Sequence, residues 1–174
     1  MYPTVNTRPA AWAASGCSKA SRAAPVRRCY STGCFTRAIC ATASSELALK
    51  VLQQQPIDLR TAWVNMIWQG DANRLALRSL VTANTPALAL NVTGPMVRVR
   101  EVAECLGKHA GVAPLFEHDE GAESLVANVT RLDEQLPHTP LPLDTLCAWA
   151  VSWIRNDGRL LNKPTKFEVR DGQF

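Results

Sequence analysis

The sequence predicts an α/β fold in which short apolar strands are followed by amphipathic helices. Residues 64–68 form a run of β-branched, apolar and aromatic side chains, which is typical of a buried strand. Residues 99–106 instead repeat apolar side chains at helical spacing. The chain has 174 residues, 47% of them hydrophobic, and no run of about 18 apolar residues, so we expect one folded domain and no membrane span.

The first patterned element is a helix predicted over residues 46–55. Nearly every residue there is a helix former, and Pro56 is expected to end the helix because proline breaks the ladder of backbone hydrogen bonds. The apolar face of this helix is formed by Ala48, Val51 and Leu52.

The chain is organised around a strand, a tight turn and a second helix between residues 63 and 80. The strand is predicted over residues 64–68, and Gly70 is expected to break it. Asp71 is the predicted N-cap of the helix, since its carboxylate can accept hydrogen bonds from the first free N–H groups. The positions that recur at helical spacing are Leu77, Leu80, Val81 and Asn84.

The remaining elements alternate in the same way. Strands are predicted over residues 88–92 and 115–117, and a short helix capped by Asn128 runs to Leu136. The clearest helix has an apolar face made by Val99, Val102, Ala103 and Leu106, and Gly107 or Gly111 can stop it. A last helix presents a face made by Leu143, Leu146, Cys147, Ala150, Trp153 and Ile154.

The first 45 residues differ from the rest in composition. They hold six Lys and Arg residues and no acid, whereas residues 46–174 hold thirteen basic and fifteen acidic residues. The net charge of +4 therefore belongs to the amino-terminal segment, and it is no argument that the folded part binds nucleic acid. Because no apolar period is sustained there, we expect residues 1–45 to be disordered or to form one weak helix.

Several origins of this segment compete. Its Arg- and Ser-rich composition fits an organellar transit peptide, and an out-of-frame reading of GC-rich DNA would give a similar mixture. A nucleic-acid tail is disfavoured because few aromatic residues are present to stack on bases. A zinc site is disfavoured because no C-x-x-C pair occurs among Cys17, Cys29, Cys34 and Cys40. We expect a cytoplasmic protein, or a mitochondrial one if residues 1–45 are a transit peptide.

Residues 46–174 carry a series of landmarks in a fixed order. They are Ile57-Asp58-Leu59, the stretch from Val64 to Asn73, Leu90 to Pro95, Val99 to Ala103, Leu143 to Leu146, and the tail from Asn162 to Gly172. In this order they resemble the carboxy-terminal part of the NAD(P)-dependent epimerase/dehydratase family, the extended short-chain dehydrogenases/reductases. The resemblance implies the end of a Rossmann-type domain plus a small α/β substrate-binding lobe. It also implies an NAD(P) cofactor and a sugar-nucleotide-like or small carbonyl substrate. By the same resemblance, the substrate side of the cleft holds Asn65, Trp68, Gln69 and Asp71.

The sequence departs from this family in two ways. Arg98 stands where a Ser or Thr usually caps the following helix, at a cost of about 1 kcal/mol. The larger departure is that the catalytic half is missing. No G-x-G-x-x-G occurs among the nine glycines, so no backbone is placed to approach a pyrophosphate. Tyr2 and Tyr30 are followed four residues later by Asn and Cys, so no Tyr-x-x-x-Lys pair exists. We expect this chain alone to bind no NAD(P) and to be inactive.

No other catalytic or metal site is predicted. His109, His118 and His138 are scattered, and His109 is interpreted as a helix C-terminal cation. Cys105 and Cys147 are expected to be free thiols within helices.

Two hypotheses remain open. The chain is either the substrate-lobe fragment of an epimerase/dehydratase or a stand-alone, non-catalytic binding module, in the latter case with organelle targeting as a further option. A lobe without its neighbouring domain should leave the Ala48, Val51 and Leu52 face partly uncovered and should self-associate.

Overall fold

The computed structural model describes residues 42–82, 89–122, 124 and 126–160. The predictions for residues 1–41, for Asn84 and for the tail lie outside this part of the chain. The elements, in chain order, are α1 (Thr42–Leu52), β1 (Pro56–Asp58), β2 (Trp63–Asn65), α2 (Gln69–Arg78), β3 (Met96–Arg98), α3 (Val99–Ala110), β4 (Leu115–Glu117), α4 (Thr130–Gln135) and α5 (Leu143–Arg155). A 3-10 turn, Ser79–Thr82, follows α2 directly.

The strands form two pairs rather than one continuous sheet in the described residues. β1 and β4 are parallel, with Ile57 opposite Phe116. β2 and β3 are antiparallel, with Val64 opposite Val97. The mixture of helices with a small parallel pair confirms the predicted α/β class. None of the described helices is long and apolar enough to cross a membrane.

Two apolar clusters hold these elements together. In the larger cluster, α1, α3 and α5 pack on one another and on the β1–β4 pair. Its most buried members include Leu47, Ala48, Val51, Ile57, Val99, Val102, Ala103, Leu106, Cys147 and Val151. The smaller cluster joins α2, the segment before β3, and α4, through Ile67, Ala72, Leu75, Leu90, Val92, Leu132 and Leu136.

Helix α3 follows its prediction closely. All four residues of its predicted apolar face are buried. Gly111 ends the helix with a left-handed φ of 69°, a conformation that glycine adopts without steric cost. Arg98 makes no side-chain cap, as expected. The N–H of Val99 donates instead to the carbonyl oxygen of Ala62 at 2.9 Å, so a backbone group supplies one of the missing partners.

The prediction of an uncovered face on the first helix is wrong. α1 begins at Thr42, four residues before the predicted start. Ala48 and Val51 are 0% and 1% exposed, because α3 and α5 pack against them. Leu52 is partly buried against the same cluster.

The positions that recur at helical spacing after Asp71 do not form the buried face of α2. Leu77 is 69% exposed, and the buried side chains are Asp71, Ala72 and Leu75. For Leu80 and Val81, the cause is that the helix ends before them. α2 starts at Gln69 and ends at Arg78, so Leu80 and Val81 lie beyond it and are 59% and 83% exposed.

The remaining differences concern the short strands and the buried face of α5. Residues 89–92 are not a strand, although Leu90 and Val92 are buried. β1 and β3 were not predicted, because neither falls in a run of β-branched and aromatic residues. In α5, Trp153 is 53% exposed and Val151 is buried in its place.

Candidate functional site

Asn65 ends strand β2 and is only 2% exposed. Its Nδ2 group donates to the carbonyl oxygen of Gly94 at 3.0 Å and to that of Ala127 at 3.3 Å. Its Oδ1 accepts from the N–H of Ala127 at 2.7 Å. Both polar ends of this amide are therefore used inside the protein, where they join β2 to two loops that are remote in sequence.

Gly94 is required by this arrangement. A Cβ atom at this position would lie 1.6 Å from the carbonyl oxygen of Met66, which no adjustment of a side chain could relieve. The neighbouring Thr93 is 1% exposed, and its hydroxyl has no hydrogen-bond partner among the described residues.

Trp68 is half-buried at the amino end of α2. Its ring makes an edge-to-face contact with Trp149 of α5, with centroids 5.5 Å apart and planes at 71°. A Cβ atom at Gly70 would lie 2.4 Å from the Trp68 ring, so the absence of a side chain there makes room for the indole. This contact joins the start of α2 to α5.

Asp71 is not the N-cap of α2, contrary to the prediction. Trp68 occupies the cap position with extended backbone (ψ 137°), and its carbonyl oxygen accepts from the N–H of Ala72 at 3.0 Å. Asp71 therefore lies in the first turn, where its charge still favours the positive end of the helix. It is 6% exposed and accepts from Arg74 and from the N–H of Leu141, both at 3.2 Å.

Gln69 is the member of the predicted set that faces solvent most openly. It is exposed, and its Nε2 group donates to Asn73 at 2.9 Å. We refer to residues 63–78 as the β2–α2 segment. Of its four predicted site residues, Asn65 and Asp71 hold loops in place, whereas Gln69 and part of the Trp68 ring remain accessible.

A shallow groove lies along α5 and includes Trp149, the residue that Trp68 contacts. It has a volume of about 340 Å³ and is lined by Trp149, Ser152, Trp153 and Asn156. Trp153 is anchored at one edge, because its Nε1 group donates to the carbonyl oxygen of Arg159 at 3.2 Å.

A charged cluster lies at the carboxyl ends of β1 and β4. Asp58 is buried, and the Nε group of Arg60 contacts its two carboxylate oxygens at 2.8 and 3.0 Å. These hydrogen bonds outweigh the effect of burial and hold the pKa of Asp58 well below its usual range. Nδ1 of His118 lies 3.3 Å from the same carboxylate.

A second cluster, which the sequence did not predict, lies where α3 meets α5. We call Cys105, His109 and Asp144 the α3–α5 cluster. Nε2 of His109 is 2.9 Å from Oδ1 of Asp144, and Sγ of Cys105 is 3.9 Å from the same oxygen. The hydrogen bond from His109 is the main reason that the pKa of Asp144 is lowered. Cys147 lies among the core residues of α5, and burial raises the pKa of its thiol.

One signal for this cluster was present in the sequence. Cys105 and His109 are four residues apart, so a helix places them on one face. Asp144 is 35 residues beyond His109, and only the packing of α5 on α3 brings it there.

The fold has clear counterparts among solved structures. A UDP-glucuronic acid 4-epimerase from Bacillus cereus in complex with NAD matches with a TM-score of 0.54 and 15% identity over 69% of this chain and 40% of that one. MoeE5 in complex with UDP-glucuronic acid and NAD gives 0.53 and 19% over 67% and 42%. A UDP-glucose 4-epimerase from Thermus thermophilus, in complex with NAD, gives 0.51 and 17% over 64% and 39%.

These neighbours are NAD complexes, two of them of UDP-sugar 4-epimerases, and they share their α/β fold with this chain. The resemblance predicted from the ordered landmarks is thus confirmed at the level of the fold. The chain spans about two fifths of the length of these structures. No protein-family model matches the sequence. No curated protein matches it either.

Proposed function

We propose that this chain is the carboxy-terminal, substrate-side part of an NAD(P)-dependent epimerase or dehydratase. The observation that carries this proposal is the fold shared with NAD-bound UDP-sugar 4-epimerases over about two fifths of their length. The substrate class that follows is a sugar nucleotide or another small carbonyl compound. The reaction class is the transfer of hydride to and from NAD(P), which requires an oriented nicotinamide.

The chain by itself is proposed to be inactive. Its 174 residues include no G-x-G-x-x-G and no Tyr-x-x-x-Lys. Without the first motif, no close glycines place a helix N-terminus against a pyrophosphate. Without the second, no lysine ammonium lowers the pKa of a tyrosine that could relay a proton.

The β2–α2 segment is proposed as the substrate side of the cleft. Asn65 and Asp71 are positioning residues in this proposal, because buried hydrogen bonds already occupy them. Gln69 and Trp68 are the residues that have surface available to a ligand. An indole face and an amide are suitable for contacting a sugar ring and its hydroxyl groups.

Nuclear magnetic resonance on the isotopically labelled full chain tests this assignment. We expect UDP-glucose or UDP-glucuronic acid to shift the Trp68 indole and Gln69 side-chain signals, and NAD⁺ to shift none. Gln69→Ala should weaken the sugar-nucleotide effect, whereas Gln53→Ala, at an exposed position after α1, serves as the matched control. If sugar nucleotides leave the β2–α2 segment unperturbed, its substrate role is wrong and a stand-alone binding module becomes the better hypothesis.

An activity assay tests the other half of the proposal. The purified chain should not reduce NAD⁺ or NADP⁺, or epimerise UDP-glucose, above the rate without protein. Turnover that co-purifies with the 174-residue chain would contradict the proposed inactivity.

Self-association remains a prediction, but its expected surface changes. Leu77, Leu80 and Val81 replace the buried α1 face as the exposed apolar candidates. Sedimentation velocity should show association that Leu80→Glu reduces, while Leu115→Glu, at another exposed leucine, should not. A chain that is monomeric at every concentration would rule this prediction out.

A further inference from the structure

We propose that Cys105, His109 and Asp144 bind a divalent transition-metal ion of the zinc class at the contact between α3 and α5. This proposal does not depend on the function proposed above. It rests on the donor atoms, on the rigidity of the two helices and on the access of solvent to the site.

The three side chains offer the donor set that zinc prefers. A thiolate, an imidazole and a carboxylate each provide one ligand atom, and these three atoms all lie within 4.8 Å of one another. Bonds of about 2.0–2.3 Å to a tetrahedral ion require ligand atoms roughly 3.3–3.7 Å apart. The distances from Asp144 Oδ1 to His109 and Cys105, 2.9 and 3.9 Å, lie on either side of that range. Small side-chain movements would therefore admit an ion.

Two packed helices hold the ligands. Cys105 and His109 project from one face of α3, and Asp144 lies in the first turn of α5. Beneath them, the helices share the core residues Val102, Leu106, Cys147 and Val151. At the end of α3, the guanidinium of Arg155 donates to the carbonyl oxygen of Ala110 at 2.6 Å. Ligands on elements fixed in this way lose little freedom when an ion binds.

Solvent can reach the site, and the fourth position is left for water. The side chain of Asp144 is 63% exposed and that of His109 is 25% exposed. Lys108 lies 3.8 Å from Asp144 and opposes a cation, but its side chain is 76% exposed and free to turn into solvent. Cys147 lies beside Cys105 and the carbonyl oxygen of Val102, but it is not assigned as a ligand, since its thiol is buried in the core.

The other cluster of suitable donors, Asp58, Glu117 and His118, is a weaker candidate. Its ligand atoms are equally close, but the guanidinium of Arg60 already occupies the Asp58 carboxylate. A cation there would have to compete with a positive charge that is already hydrogen-bonded.

Metal titration of the full chain tests the proposal. Four further cysteines lie in the amino-terminal segment, so a variant with Cys17, Cys29, Cys34 and Cys40 changed to Ser provides the background. In it, we expect one equivalent of Zn²⁺ to bind, and Co²⁺ to give a thiolate-to-metal charge-transfer band. Cys105→Ser and His109→Gln should each weaken binding by more than about tenfold. His118→Gln is the matched control and should leave it unchanged. A Zn²⁺ affinity that Cys105→Ser does not alter would overturn the site.

A second measurement needs no substitution in the cluster and so does not depend on the folding of variants. Alkylation of the native chain, resolved by peptide mass spectrometry, should be slower at Cys105 when Zn²⁺ is present, and a chelator should restore the rate. The thiol must lose its proton to bind the ion, so this protection should fade as the pH falls. Equal alkylation rates with and without Zn²⁺ would refute the proposal.

Discussion

The β2–α2 segment and the α3–α5 cluster use polar side chains in opposite ways. Asn65 is almost fully buried, and the protein itself satisfies both ends of its amide. Asp144 is mostly exposed, and its partners are a histidine and a lysine on the facing helix. A buried and satisfied group fixes the backbone around it, and removing it leaves its partners unpaired. An open group contributes little to stability and remains available to a ligand.

The largest expected effect is at Gly94, where the backbone beside Asn65 is most crowded. Gly94→Ala should destabilise the fold by at least about 3 kcal/mol, because the new Cβ would meet the Met66 carbonyl oxygen. Gly111→Ala is the control: nothing lies within 4 Å of its Cβ, and only the left-handed backbone is strained, at about 1 kcal/mol. Urea unfolding measures both variants, and equal losses would contradict the crowding.

Asn65 itself comes next. Asn65→Ala should cost about 2–3 kcal/mol, since the Gly94 carbonyl and the Ala127 N–H lose their partner. Asn91 donates to the Asn128 carbonyl oxygen at an exposed position, so Asn91→Ala should change stability by less than about 0.5 kcal/mol. Thermal melts of the two variants should differ clearly, and similar melts would mean that Asn65 does not join these loops.

Asp58 tests whether a buried carboxylate contributes to stability as the buried Asn65 amide does. Asp58→Asn should cost about 1.5 kcal/mol at neutral pH, because its hydrogen bonds with Arg60 lose their charge. The pKa of Asp58 is lowered from 3.8 on folding, so its contribution is present above that pH and is lost as the pH falls through the folded-state pKa. As the pH is lowered below about 4, the difference in stability between the two proteins should therefore shrink progressively. A constant gap across this range would contradict the assignment.

Next to Gly94, Thr93 differs from Asn65, because its buried hydroxyl has no partner among the described residues. Thr93→Val should stabilise the protein by about 1 kcal/mol, since it removes an unpaired polar group and keeps the shape. Thr82→Val is the matched control and should not stabilise, because the Thr82 hydroxyl donates to the Ser79 carbonyl oxygen at 2.8 Å. A destabilised Thr93→Val variant would mean that the Thr93 hydroxyl has a hydrogen-bond partner in the folded protein.

The smallest expected effect is at Asp144. Without metal, Asp144→Asn should reduce stability only slightly, because solvent screens an exposed carboxylate. The folded state lowers the pKa of Asp144, so even this small contribution should be present above pH 3.8 and disappear at lower pH. A loss as large as that of Asn65→Ala would place Asp144 among the structural residues and would end the contrast between the two regions.

Sequence analysis was most accurate for features that depend only on residues near each other in the chain. The period in α3 predicted its buried face and its terminal glycine, because a helix is built from local spacing. For α2, the same reasoning failed. Trp68 is the N-cap, so α2 starts two residues before Asp71 and ends at Arg78, before Leu80 and Val81. The start depends on contacts of Trp68 and Asp71 with α5 and Leu141, which local spacing does not contain.

The candidate sites could likewise be predicted only in part, because they depend on contacts between residues that are distant in the sequence. Family resemblance identified Asn65 and Asp71, but only the three-dimensional contacts with Ala127 and Leu141 show that their side chains are already committed. The α3–α5 cluster forms only when α5 packs on α3. The sequence shows that Cys105 and His109 share a helix face, but it does not show that Asp144 lies beside them.

The pairing of β1 with β4 affects how the chain folds during its synthesis. Pro56 lies opposite Leu115, so 59 residues must be synthesised after a β1 residue before its partner exists. At roughly 5–20 residues per second, the ribosome takes roughly 3–12 s to do so. For that interval the nascent Ile57 side chain, which ends fully buried, lacks β4, its partner among the described strands. Its backbone is then open to strands of other nascent chains, and chaperones that cover such edges should raise the yield of folded protein.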